Sequence, residues 1–104
     1  MAQYEMAIIG SSPNIALFKS IGLDVHHIES IEEIDKIVFS LSQAGVKLIY
    51  VEDRWYLKMT AVISKYQYLP FPIIVPIPLE SDKLQVGIKK IRENVRKAIG
   101  IDIF

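Results

Sequence analysis

Three short groups of residues in the sequence have types and spacings that could do chemistry: the turn Gly10-Ser11-Ser12-Pro13, the pair His26-His27, and the acids Glu52-Asp53. The turn follows an apolar run, and amides at the start of a helix attract anions. A dinucleotide site needs G-x-G-x-x-G there, so that a pyrophosphate can reach the backbone. One glycine followed by serines reads instead as an ordinary helix start, with Ser12 as N-cap and Pro13 in the first turn. His26 and His27 are neighbours in a strand, where adjacent side chains point to opposite faces, so they cannot easily share a metal ion. They read as a strand-end pair without a role. Two histidines and scattered serines define no nucleophile, base and acid set.

Asp53 follows the third apolar run, the place of a phospho-accepting aspartate in a receiver domain. Such a domain also needs acids at the end of its first strand, and Gly10, Ser11 and Ser12 cannot supply them. A receiver-like signalling domain without the usual acidic site is the alternative reading, and a small nucleotide-binding domain is a second one that lacks its motif. Glu52 and Asp53 read as carboxylates placed where the next helix begins, favourable to its dipole. No catalytic residue, cofactor or metal ligand follows from these groups.

The 104 residues allow one compact core and expect one domain, 1–104. Twelve bases balance twelve acids, which argues against a nucleic-acid partner. The balance is uneven along the chain: residues 1–52 hold seven acids and three bases, residues 53–104 nine bases and five acids. The basic second half suggests one acidic contact. Cysteine is absent, which removes disulfides and thiolate chemistry and makes a reducing cytoplasm the expected location. The start lacks the pattern of a secretory signal, and no apolar stretch approaches the roughly 20 residues of a membrane span. Membrane association is expected only through partners. A hydrophobic content of 51% is high for a small soluble domain and points to apolar surface meant for another protein of an assembly.

Four β-branched runs alternate with helical segments, the pattern of βαβ units around a parallel sheet. The expected strands are Tyr4–Ile9, Leu23–Ile28, Val46–Val51 and Phe71–Ile77. The first helix should carry Leu17, Phe18 and Ile21 on one face and end at Gly22. Ser30 and Glu33 form a capping box in which hydroxyl and carboxylate each hold a first-turn amide. Ile31, Ile34, Val38 and Leu41 then make a stripe that Gly45 ends. A third helix buries Trp55, Met59, Val62 and Tyr66 as core packing. The fourth strand is apolar on both faces, as under helices on both sides. Pro72, Pro76 and Pro78 share parity and mark it as an edge strand. The last helix is expected over about Leu84–Ala98, about 23 Å long, with Gly100 as its stop. Ile88, Ile91, Val95 and Ile99 line one side of it, and Lys89, Arg92 and Arg96 an adjacent side. Ile101-Asp102-Ile103-Phe104 then form a short apolar tail.

Read in order, Ala7-Ile8-Ile9-Gly10, Phe18 with Gly22-Leu23-Asp24-Val25, Leu48-Ile49-Tyr50-Val51-Glu52, Pro72-Ile73-Ile74-Val75-Pro76-Ile77-Pro78 and Gly87-Ile88-Lys89-Lys90-Ile91-Arg92 resemble the family of F subunits of V-type (A-type) ATPases and ATP synthases. Val95-Arg96-Lys97-Ala98-Ile99-Gly100 and the terminus Ile103-Phe104 extend the match over essentially the whole chain. Gly10-Ser11, where family members often have Gly-Asp, and Leu79-Glu80-Ser81-Asp82, where they often have a glycine-containing loop, depart from the pattern.

The resemblance implies a Rossmann-like (receiver-like) four-stranded parallel sheet flanked by helices, a core over about 1–78, and a C-terminal helix and tail over about 84–104 that contacts the shaft. It implies a non-catalytic central-stalk rotor subunit, peripheral to the membrane and not inserted in it. Its partners would be the D shaft subunit, the A/B catalytic head, and the stalk subunit that links to the membrane rotor ring. The expected residues contacting the D shaft are Ile88, Lys89, Ile91, Arg92, Val95, Arg96, Ile99, Ile103 and Phe104.

Overall fold

A computed structural model describes the backbone of residues 5–80 and 83–103 and the side chains of residues 5–80 and 83–94. Of the expected contact residues, Phe104 and the side chains of Val95, Arg96, Ile99 and Ile103 lie outside the described residues.

Strands β1 (Met6–Gly10), β2 (Asp24–His27), β3 (Leu48–Glu52) and β4 (Ile73–Ile77) pair in parallel, in the order β2-β1-β3-β4. This is the α/β sheet that the alternation predicts. The central strands β1 and β3 are apolar on both faces because both faces are covered. Ala7, Ile9, Ile49 and Val51 are buried on one side with Ile34, Val38 and Leu41 of helix α1 (Glu32–Gln43). Ile8 and Tyr50 are buried on the other with Ile15, Phe18, Ile77 and Ile91.

The first helical segment, Pro13–Ile21, is a 3-10 helix, not an α-helix. Ser12 Oγ accepts from the Asn14 amide at 3.2 Å, so the expected N-cap is present. With three residues per turn, positions i, i+3 and i+6 align. Ile15 and Phe18 are therefore buried and Ile21 packs beside them, whereas Leu17, expected on the same face, is 49% exposed. Gly22 at φ 105° ends the segment, and the Leu23 amide donates back to the Phe18 carbonyl.

Only half of the capping box forms. The Glu33 carboxylate accepts from the amides of Glu29 and Ser30 at 2.7 and 2.8 Å, which holds its pKa below the ordinary value. The Ser30 hydroxyl turns to the same carboxylate, at 3.3 Å, and leaves the first-turn amide alone. At the far end, the Gly45 and Val46 amides donate to the Ser42 and Leu41 carbonyls, with Gly45 at φ 87°. These are the paired bonds of a Schellman stop.

The third helix is divided. Helix α2 (Asp53–Tyr56) and helix α3 (Thr60–Tyr66) are separated at Met59, whose backbone leaves the helical region at φ −112° and ψ 37°. The break lets the Met59 side chain enter the core, with Trp55, Val62 and Tyr66 packed around the same cluster.

Strand β4 is an edge strand, as its prolines require, and the Ile73 amide bonds the Lys47 carbonyl at 2.8 Å on the β3 side. It is not covered on both faces, because Ile73 and Pro76 are exposed. The last helix, α4 (Leu84–Ile103), has 20 residues, hence a length of about 30 Å, and passes through Gly100 without stopping. One interior glycine costs about 1 kcal/mol relative to alanine, and no proline follows to enforce an end. Ile101, Asp102 and Ile103 are thus helical rather than a tail.

The 3-10 register has a direct consequence. Phe18→Ala should lower unfolding stability by roughly 3 to 5 kcal/mol, and Leu17→Ala by less than about 1, in urea titrations followed by circular dichroism. Equal losses would point to an α-helical register.

Candidate partner-binding surface

Helix α4 lies on the sheet face that also carries the 3-10 helix, because its inward residues recur at helical spacing. Leu84, Gly87, Ile88, Ile91 and Asn94 are buried or partly buried, while Gln85, Val86, Lys89, Lys90, Arg92 and Glu93 face outward. Ile91 is fully buried among Ile8, Phe18, Tyr50 and Ile77, and Ile88 and Leu84 pack at the margin of that cluster. A side chain at Gly87 would meet the Pro78 carbonyl at 3.1 Å, so glycine there permits close approach of the helix to the end of β4.

The helix is also fixed by a polar contact that sequence patterns did not disclose. Asn94 Nδ2 donates to Tyr50 Oη at 2.5 Å. Tyr50 is 1% exposed and carries a polar tip into an apolar face, and buried tyrosine hydroxyls usually find a partner. A tyrosine inside an apolar strand was the available signal; the partner 44 residues away was not. Burial raises the phenol pKa above its ordinary value of 10.0, and the Asn94 bond partly offsets the shift.

Two of the expected contact residues, Lys89 and Arg92, stand on the outward side of α4 and line a shallow depression with Gln85, Ile88 and Glu93. Ile88 is half-buried and belongs to both the core margin and this depression. Ile91 does not reach the surface in the isolated chain. The described part of α4 therefore brings Ile88, Lys89 and Arg92 together and turns Ile91 away from them.

The order of strands reverses between β1 and β3, and the crevice at such a switch point is where sheets of this kind ordinarily take ligands. Here the chain fills it itself. Glu52 is 4% exposed, and its Oε1 accepts from the amides of Ser11 and Ser12 at 2.9 and 3.2 Å. Its Oε2 pairs with Arg54 Nε at 3.0 Å. Ser11 Oγ in turn accepts from Trp55 Nε1 at 2.9 Å and from Arg54 Nη2. A carboxylate thus occupies the place a phosphate would take at the start of the 3-10 helix, and the amides are spent. Glu52 stands where the following helix begins, as the sequence suggested, but its side chain makes no cap there and reaches across to β1, where Gly10 leaves room for it. Asp53 accepts from the Arg54 amide at 2.8 Å. His26 Nε2 lies 2.8 Å from Asp24 Oδ2, while His27 Nε2 donates to the Ser11 carbonyl at 3.1 Å, so the two rings serve different neighbours.

Residues 6–95, from the first strand into α4, match the family model described as ATP synthase (F/14-kDa) subunit. The chain belongs to that family. It is 27% identical to the V-type ATP synthase F subunit of Clostridium perfringens over 99 residues, covering 95% of this chain and 94% of that protein. It is 28% identical to the V-type ATP synthase F subunit of Fusobacterium nucleatum over 100 residues, covering 96% and 95%. The match to F subunits is thus near full length and takes in the core strands, the filled crevice and the anchored part of α4. No helix among the described residues is long and apolar enough to cross a membrane.

The Tyr50 contact predicts an alkaline weakness. A phenol whose folded pKa exceeds its unfolded value contributes stability that is fully present below pH 10 and is lost as pH rises through the folded pKa. Tyr50→Phe should remove that part of the alkaline loss while the rest of the pH profile is unchanged, as read from urea midpoints on both sides of pH 10. Parallel profiles for the two proteins above pH 10 would contradict it.

Proposed function

We propose that this chain is the non-catalytic central-stalk rotor subunit of a V-type ATPase or ATP synthase. In this reading it binds the D shaft subunit, and it helps couple ATP turnover in the A/B head to rotation and ion transport. The observation that carries the reading is the near full-length similarity to proteins named as F subunits of V-type ATP synthases. Its site then lies outside the assembly's membrane part, next to the stalk subunit that links to the membrane rotor ring.

The physical support is the outward side of α4. A shaft built as a coiled coil offers a groove between its helices, and a helix with apolar groups beside a basic stripe complements such a groove if acids flank it. Lys89 and Arg92 are exposed on α4, and Arg96 continues their spacing in the sequence. Burial of a large aliphatic group contributes roughly 1.5 to 3 kcal/mol, against an association cost of roughly 4 to 15 kcal/mol or more. Several groups must therefore take part.

Ile91 is committed to the chain's own core and supports the helix from beneath. In our reading the apolar contribution to the shaft comes from Ile88, Val95, Ile99, Ile103 and Phe104, and Lys89, Arg92 and Arg96 set register against acids on the shaft.

Reversing the charge at Arg92 and Arg96 tests this directly. Arg92→Glu with Arg96→Glu should weaken a purified pair with the D shaft subunit roughly tenfold at low salt, and less at high salt where exposed charges are screened. An unchanged dissociation constant at low salt removes the basic stripe from the interface.

A further inference from the structure

A groove runs beside the free edge of the sheet between α3 and β4, walled by Tyr56, Ile63, Tyr66, Leu69 and Ile73. The chain segment that forms it exposes much apolar surface. Tyr68 is 89% and Leu57 81% exposed, and Leu69, Phe71 and Ile73 are each about half exposed. Tyr66 is also a wall of a second depression that includes the exposed Phe39 of α1. Exposed apolar surface beside a groove marks a contact site more often than chance exposure does.

Two properties restrict what fits there. The first is that β4 resists strand addition: Pro76 is exposed on it, and Pro72 and Pro78 flank it, so donors are missing along the free edge. An extended peptide gains affinity through main-chain bonds, whereas a helix satisfies its own backbone and brings only side chains.

The second is charge. No Asp or Glu occurs from Arg54 to Leu79. Lys58 and Lys47 are exposed, with their ammonium groups 5.5 Å from the ring centre of Trp55 and 5.6 Å from that of Phe71, the sequence neighbours of Tyr56 and Pro72 in the groove wall. Lys65 stands beside Tyr66 and is paired with Asp35 at 3.0 Å. Acidic groups on a partner would meet Lys47 and Lys58 across this rim.

We propose that the groove between α3 and β4 receives an amphipathic helix from a different protein of the assembly, one whose apolar stripe is flanked by aspartate or glutamate. A second copy of this chain is the weaker candidate. Two copies meeting groove to groove would oppose like charges, and a groove meeting the acidic α1 of another copy is a head-to-tail contact that need not close. The proposal rests on the chain's being one part of a larger assembly, and not on which face holds the shaft.

The test places the photoreactive residue benzoylphenylalanine at position 68 or, separately, at position 89, in the purified ATPase complex, and identifies crosslinked peptides by mass spectrometry. The expected product at position 68 is a peptide of a different protein of the complex, with apolar residues at helical spacing and at least one acid beside them. Lys47→Glu with Lys58→Glu should lower its yield roughly tenfold while the position-89 product is unchanged. The proposal is overturned by a position-68 product from a second copy of this chain, by one from an extended or basic peptide, by a yield that ignores both charge reversals, or by no product there. A product at 68 without one at 89 would instead sink the shaft contact of α4 and leave the groove standing.

Discussion

One packing constraint decides what this chain can offer a partner: the first half of α4 must lie close on its own sheet. Gly87 lets the helix pass the Pro78 carbonyl, Ile91 is sealed into the core, and Asn94 reaches the buried Tyr50 hydroxyl. These contacts span two helical turns and fix the rotation of the rod about its axis. Once that rotation is set, Lys89 and Arg92 can only face outward, while Ile91 is taken into the core and Ile88 stays half-buried at its margin. Under the proposed function, what α4 offers the shaft is the remainder that the core has not taken.

The same economy is visible at the switch point between β1 and β3. The sheet has the form in which nucleotides and phosphates are often held, yet the Glu52 carboxylate already accepts the Ser11 and Ser12 amides and is itself neutralised by Arg54. A free anion would have to displace a buried, paired charge, which is costly. The arrangement ties the end of β3 to the turn after β1. It makes the crevice a structural joint.

Much of the architecture was legible because it is local. β-branched runs marked the strands, the prolines of β4 the edge, and Gly22 and Gly45 the helix ends. What the sequence hid was long-range or a matter of degree. Leu17 and Ile21 suit an α-helix as well as a 3-10 helix, and only packing against β1 and β2 selects the tighter winding that sends Leu17 outward. The Trp55-Met59-Tyr66 spacing is continuous, but burying Met59 required a break that no proline announces. Gly100 carried the signature of a stop and was overridden by helix on either side. In the candidate site, the outward position of Lys89 and Arg92 was readable from spacing. Which member of the apolar stripe the core takes outright, Ile91, and the Asn94 anchor were not, since both depend on which face of α4 meets Tyr50, a residue far away in sequence.

The central claim is that α4, anchored through its first half, holds the shaft with its outward side and its later turns. Hydrogen exchange of the chain alone and paired with the D shaft subunit measures this most directly, segment by segment. Protection gained on pairing should fall on α4, in residues 88–103, and leave β2 and α1 as they were. Added protection confined to β2 or α1, with α4 exchanging alike in both states, would contradict it.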